Sequence, residues 1–168
     1  SLTKKIGLFL GLFAMIGLAI STGVSEFKVD SMTFRLASDY VNISSNADLM
    51  KFKGSGTADD PYIIDGLNLN NHIGNGIVIR NTDAYILIKN CTMANLTGNY
   101  YGLYDVNGIN IDDAKNVRVE NCRLSGSGSS LSVSSAENIQ ITNYRGKNIM
   151  FNGVKNGLIE NCNSEHIL

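Results

Sequence analysis

Tryptophan is absent from this 168-residue chain, proline occurs once, and positive and negative side chains nearly cancel at a formal net charge of −1. A protein held to nucleic acid by phosphate attraction needs a basic face, so a balance this close to neutral excludes that class. Histidine is scarce, with His72 and His166 far apart in the sequence. Three cysteines, an odd number, argue against a disulfide framework. Helical periodicity is missing from residues 54–168 too. No helical apolar period outlasts about two turns, because Ile- and Val-rich triplets alternate with clusters such as Ser125-Gly126-Ser127-Gly128-Ser129.

What the chain has instead is a repeat. Asn90-Cys91, Asn121-Cys122 and Asn161-Cys162 each close a short run of alternating apolar residues: Ile86 to Ile88, Val117 to Val119, and Leu158-Ile159. A degenerate copy ends at Asn143-Tyr144, and Ile64-Asp65-Gly66-Leu67 fits the same frame ahead of the first. Copies recur about every 18 to 31 residues, the spacing of a solenoid whose single turns cannot bury an apolar face without their neighbours.

An upstream strand accompanies each copy. Ile77-Val78-Ile79, Ile109-Asn110-Ile111, Leu131-Ser132-Val133 and Ile149-Met150-Phe151 form one column, and period-two alternation sends their first and third residues inward. Ile88, Val119, Ile141 and Ile159 form the matching inward file on the second strand. A third short strand should follow, with Met93 and Leu124 inward and Gly146 and Ser164 filling the same slot less well. Outward on the second strand, Asp65, Lys89, Glu120, Thr142 and Glu160 mix signs, as in a solvated ladder of weak cross-strand pairs.

Asparagine at the corner has a physical reason. A tight bend between strands needs a residue near the left-handed region, which Asn tolerates better than any residue except Gly. Gly66 takes that corner in the first coil, and Asn90, Asn121, Asn143 and Asn161 would stack as an amide-bonded ladder. Cys91, Cys122 and Cys162 then point inward as small fillers, with Leu67 and Tyr144 replacing them elsewhere. Cys91 and Cys122 would lie on adjacent coils about 4.8 Å apart, poorly aimed for a bond, and are expected as buried thiols.

Ahead of the coils stands Val41-Asn42-Ile43-Ser44, then Asn46-Ala47-Asp48-Leu49 and Gly54-Ser55-Gly56-Thr57-Ala58-Asp59-Asp60-Pro61-Tyr62-Ile63-Ile64. This order, leading into the Asn-Cys coils, resembles the start of NosD-like right-handed parallel β-helix proteins of archaeal and some bacterial cell surfaces. The likeness covers residues 41–168, and Asp60-Pro61-Tyr62-Ile63-Ile64 is its most distinctive part. It implies an all-β, right-handed parallel β-helix of about five coils. The copper role attached to that family name is not carried over, since clustered Met, His or thiolate ligands are missing. No cofactor or metal is expected. Calcium at Asp59, Asp60 and Asp65 lacks a specific ligand spacing.

The leader differs in kind. Lys4 and Lys5 precede an uncharged run from Ile6 to Ile20 and then Ser21, Thr22 and Gly23, the order of a signal peptide and short for a spanning helix of about 20 residues. The expected division is 1–23 as signal peptide or membrane or assembly helix, 24–53 as linker and capping strand, and 54–168 as solenoid. No polar capping turn follows Glu165-His166-Ile167-Leu168, so 54–168 is expected to be truncated or covered by a neighbour.

Candidate functional residues are few. Outward from the first strand stand Arg80, Asp112, Ser134 and Asn152; with Arg80, the consecutive pair Asp112 and Asp113 offers only weak catalytic candidates. The second coil carries an insertion, residues 95–107, whose Tyr100, Tyr101, Tyr104 and Asp105 are candidates for stacking on and hydrogen bonding to sugars. Asn42 and Asn95 match the glycosylation acceptor pattern. The leading expectation is a secreted or cell-surface module, structural, adhesive or carbohydrate-binding, with a polysaccharide or surface glycan as partner. Alternatives are a polysaccharide lyase or hydrolase on the first-strand face, and a homopolymeric filament subunit assembled through the hydrophobic leader. Membrane contact is expected only through residues 1–23.

Overall fold

Period-two triplets become parallel strands in the computed structural model, which describes residues 40–98 and 106–168. After β1 (Val41–Ile43), the first coil consists of β2 (Tyr62–Asp65), β3 (Asn68–Asn70) and β4 (Ile77–Thr82). The second runs through β5 (Ile86–Lys89) and β6 (Thr92–Ala94) into β7 (Ile109–Glu120). The second half of β7 opens the third coil, continued by β8 (Arg123–Ser125) and β9 (Ser130–Ser134). Then come β10 (Glu137–Thr142), β11 (Arg145–Asn152), β12 (Lys155–Glu160) and β13 (Asn163–Ile167). All pairings between these strands are parallel. The described chain is an all-β parallel solenoid whose strands β2, β5, β7, β10 and β12 supply five stacked levels.

Register follows the apolar triplets. Ile77, Ile109, Leu131 and Ile149 are successive partners on the first face, as are Ile79, Ile111, Val133 and Phe151. Ile88, Val119, Ile141 and Ile159 do the same on the second. All are buried except Phe151 and Ile159 on the last coils, which are half-buried. One middle position departs from alternation: Val78, flanked by Asn42 and Asn110, is buried.

The core's N-terminal end is closed by β1, which pairs with β4, and by a 3-10 helix, Asn46–Lys51, that buries Leu49. The Asp48 carboxylate accepts from the backbone N–H groups of Ser44 at 2.9 Å and Ser45 at 3.1 Å, fixing the helix start. The lead-in over residues 54–61 is an antiparallel loop. Lys53 bridges Ile63, and the N–H groups of Ser55, Gly56 and Thr57 converge on the Asp60 carbonyl.

Corners are turned through left-handed backbone. Asn90, Asn121, Asn143 and Asn161 have φ of 53° or 54°, and Gly66 has 70°, so the bend occurs where the repeat places it. The amide ladder there is shorter than expected. Asn143 Nδ2 donates to Asn121 Oδ1 at 3.1 Å, while Asn90 Nδ2 turns to the Asp65 carboxylate at 2.9 Å because Gly66 below it has no side chain. No amide bond joins Asn90 to Asn121 or Asn143 to Asn161 among the described residues.

The longer ladder lies at the preceding corner, between the first and second faces. Asn116 Nδ2 donates to the Asp83 carbonyl at 2.8 Å, Asn138 Nδ2 to Asn116 Oδ1 at 3.0 Å, and Asn156 Nδ2 to Asn138 Oδ1 at 3.1 Å. All three have φ between 53° and 57°. Ala114-Lys115-Asn116, Ala136-Glu137-Asn138 and Val154-Lys155-Asn156 were the sequence signal for it.

Asn138, in the middle, both donates and accepts. Asn138→Ala should lose the two amide hydrogen bonds and bear the left-handed strain, costing about 2 kcal/mol. Asn138→Gly keeps the conformation and should cost roughly half as much. Denaturant unfolding of both variants checks the order; equal loss would assign the effect to the amide bonds and none to the backbone.

Candidate functional site

Side chains outside the core stand in files one coil apart, so each face can be followed level by level. On the first face, Arg80 Nε lies 3.9 Å from Asp112 Oδ2, and Ser134 Oγ donates to Asp112 Oδ1 at 2.6 Å. The Asp112 carboxylate is thus already engaged on both oxygens. Asp113 points elsewhere. It has φ of 47° and lines a groove at the next corner, sharing a left-handed file with Asn81, Ser135 and Gly153. The consecutive acids therefore do not face one another across a groove, as paired-carboxylate hydrolysis would require.

That corner groove is charged, with three acids, Asp83, Asp113 and Glu137, against Lys115 and Lys155. Asp83, Lys115, Glu137 and Lys155 line it with alternating sign, and Lys115 Nζ is 3.1 Å from Glu137 Oε2. The Asn46 side chain, its own backbone and Lys115 hold the Asp83 carboxyl below the usual carboxylate range.

Tyr100, Tyr101, Tyr104 and Asp105 lie outside the described residues, as does the leader 1–23. The flanks of that insertion are described. Gly98 and Val106 line a polar trough with Asn107, Ser127, Ser130, Lys147 and Asn148. It continues along Arg145, Gly146 and Glu165, sharing Gly126, Ser129 and Lys147 with the first stretch. Gly126 shapes the wall: at φ 69°, a Cβ on it would fall 2.2 Å from Asn95 Oδ1. Sequence reasoning named the insertion but missed the trough, since β8, β9 and β11 meet there only after winding.

Of the acceptor asparagines, Asn42 is exposed on β1. Asn95 is exposed too, but its Nδ2 donates to Asn70 Oδ1 at 3.3 Å and it occupies a left-handed corner at φ 52°. His72 is half-buried with its ring stacked on Tyr40 at 5.7 Å. Among the described residues, no group of His, Cys, Asp and Glu is placed to hold a metal ion, and no helix is long and apolar enough to cross a membrane.

Inside the corner run Leu67, Cys91, Cys122, Tyr144 and Cys162, on successive coils. Cys91 and Cys122 are buried free thiols, and Cys162 is partly buried. Hydrogen bonding with the Cys91 side chain, then burial, push the Cys122 thiol far above its ordinary value of 9.0. Tyr144 is fully buried and donates to the Ser129 carbonyl at 3.1 Å. Gly146 makes that reach possible, because a Cβ there would fall 2.1 Å from the Tyr144 hydroxyl. The slot that glycine leaves empty is filled from the neighbouring file.

Comparison with protein-family models, with curated proteins and with solved structures finds no match to this chain.

Burial first, then the nearby Cys122 and Cys162 thiols, push the Tyr144 phenol above its ordinary 10.0. A raised acid keeps its proton in the folded chain while the unfolded chain loses it, so its contribution is intact below pH 10 and is lost as pH rises further. Stability measured by denaturant at pH 9 to 11 should fall, and more shallowly in Tyr144→Phe than in the parent. Parallel curves would place the cause elsewhere.

Proposed function

We propose that the chain is a right-handed β-helix displayed at the cell surface or in the medium, acting by presenting a rigid polar face, as a structural, adhesive or carbohydrate-binding module. Right-handed winding is the rule for parallel crossover connections. The export component rests on the order of residues 1–23, and the resemblance to NosD-like proteins on residues 41–168.

The observation that carries the binding reading is the trough between the third and first faces. It is long, lined by amides, hydroxyls and backbone, and bounded by the ends of the tyrosine-bearing insertion. Such a surface offers hydrogen bonds to hydroxyls from a frame that loses little entropy on binding. Asp112, held by Arg80 and Ser134, is equipped for holding the face together and poorly placed to transfer a proton. A near-neutral chain also gives no field suited to nucleic acid.

Purified full-length chain should bind at least one class of polysaccharide on a glycan array and release neither reducing nor unsaturated ends from it over prolonged incubation. Release of either kind of end would make the chain an enzyme. Absence of all glycan binding, with filaments visible by electron microscopy, would make it an assembly subunit.

A further inference from the structure

Cations on this surface divide into two sets. Arg80, Lys89 and Lys115 each have a carboxylate within salt-bridge distance, at 3.9, 3.6 and 3.1 Å. The other described lysines and arginines have none, and among them Arg123, Arg145 and Lys147 are all exposed. These three belong to one place: Arg123 and Arg145 are direct register partners on adjacent coils, and Arg145 and Lys147 line the trough. Glu165, abreast of Lys147 on β13, is its one carboxylate.

Like charges directly opposite each other on paired strands, here about 4.8 Å apart, repel. An internal acid would remove that cost, as Glu137 does for Lys115 and Asp112 for Arg80. At Arg123 and Arg145 the fold supplies no such partner.

We infer that the trough takes an anionic polysaccharide, with Arg145 and Lys147 in its lining and Arg123 beside them on the adjacent coil binding its acidic groups. This rests on the carbohydrate-binding reading above and adds the ligand's charge and its address. The corner groove lined by Lys115 and Glu137 holds three acids, Asp83, Asp113 and Glu137, against two lysines, so it does not favour an anion. The two chemistries that put negative charge on a sugar polymer, carboxylate and sulfate, share this recognition and differ in charge density.

The test measures binding of full-length chain to polygalacturonate, dextran sulfate, neutral dextran and duplex DNA, each at low and physiological salt. Polygalacturonate or dextran sulfate should bind, more weakly as salt rises, and whichever binds better names the acidic group. Arg123→Gln/Arg145→Gln should weaken that binding about tenfold through lost charge-assisted bonds, and Lys147→Gln should weaken it less. Arg118→Gln on the second face should leave it unchanged. Arg123→Gln should also leave the chain as stable as before or slightly more so, since a repulsion is removed, which separates lost binding from lost folding.

Equal loss in Arg118→Gln, or duplex DNA bound as tightly as the sugar polymers, would reduce the effect to nonspecific charge and overturn the inference. Binding of neutral glycans on the array with neither anionic polymer bound would overturn it while leaving the module reading intact. No glycan bound at all would remove both.

Discussion

Left-handed backbone at fixed register is the constraint on which the rest of this molecule depends. Each coil changes direction through residues with φ near 50° to 70°, at Gly66, Asn90, Asn121, Asn143 and Asn161 on one corner and at Asn116, Asn138 and Asn156 on another. For an ordinary side chain that conformation costs roughly 1–2 kcal/mol. Because coils are hydrogen-bonded level to level, a corner displaced in one would shift the register of those above and below. Asparagine meets the conformational demand and adds an amide that can bond to the next level. The longer ladder formed where a lysine or glutamate precedes the asparagine, so the same segment also sets charges one coil apart.

That regular spacing turns sequence differences between coils into surface chemistry. Alternating signs at Lys115, Glu137 and Lys155 set opposite charges one coil apart, whereas repeated arginine at 123 and 145 sets like charges one coil apart. The winding that builds the core therefore also decides which outward residues become neighbours. Arg80, Asp112 and Ser134, far apart in sequence, form one bonded file on the first face.

The interior shows how irregular repeats still fill a common space. Where Met93 and Leu124 point inward, the next coil has Gly146, and Tyr144 from the adjacent corner file occupies the volume with its hydroxyl tied to Ser129. A ring replaces a thiol in one file as a glycine replaces a leucine in the next. Volume is conserved across the coil and not within a file, consistent with the close packing that protein interiors require.

Much of this fold was legible from local pattern. Alternation over each triplet fixed which side chains turn inward, and recurrence of asparagine fixed where the backbone turns left-handed, because both depend on near neighbours in the chain. Val78, buried at a position alternation assigns outward, marks the limit of that reasoning. The second ladder could have been read from Ala114-Lys115-Asn116 and its two copies, but the Asn-Cys repeat drew attention to the other corner. Level-to-level relations were another matter. The insertion was visible as extra length, yet the trough at its base and the unpaired arginines arise from strands that meet only after winding. Thus the sequence by itself determined the solenoid, its inward files and its left-handed corners, all set by short-range sterics and period-two burial. Only the tertiary structure decided which charges are neutralised and which remain available, because electrostatic balance depends on distances across coils that the order of residues does not contain.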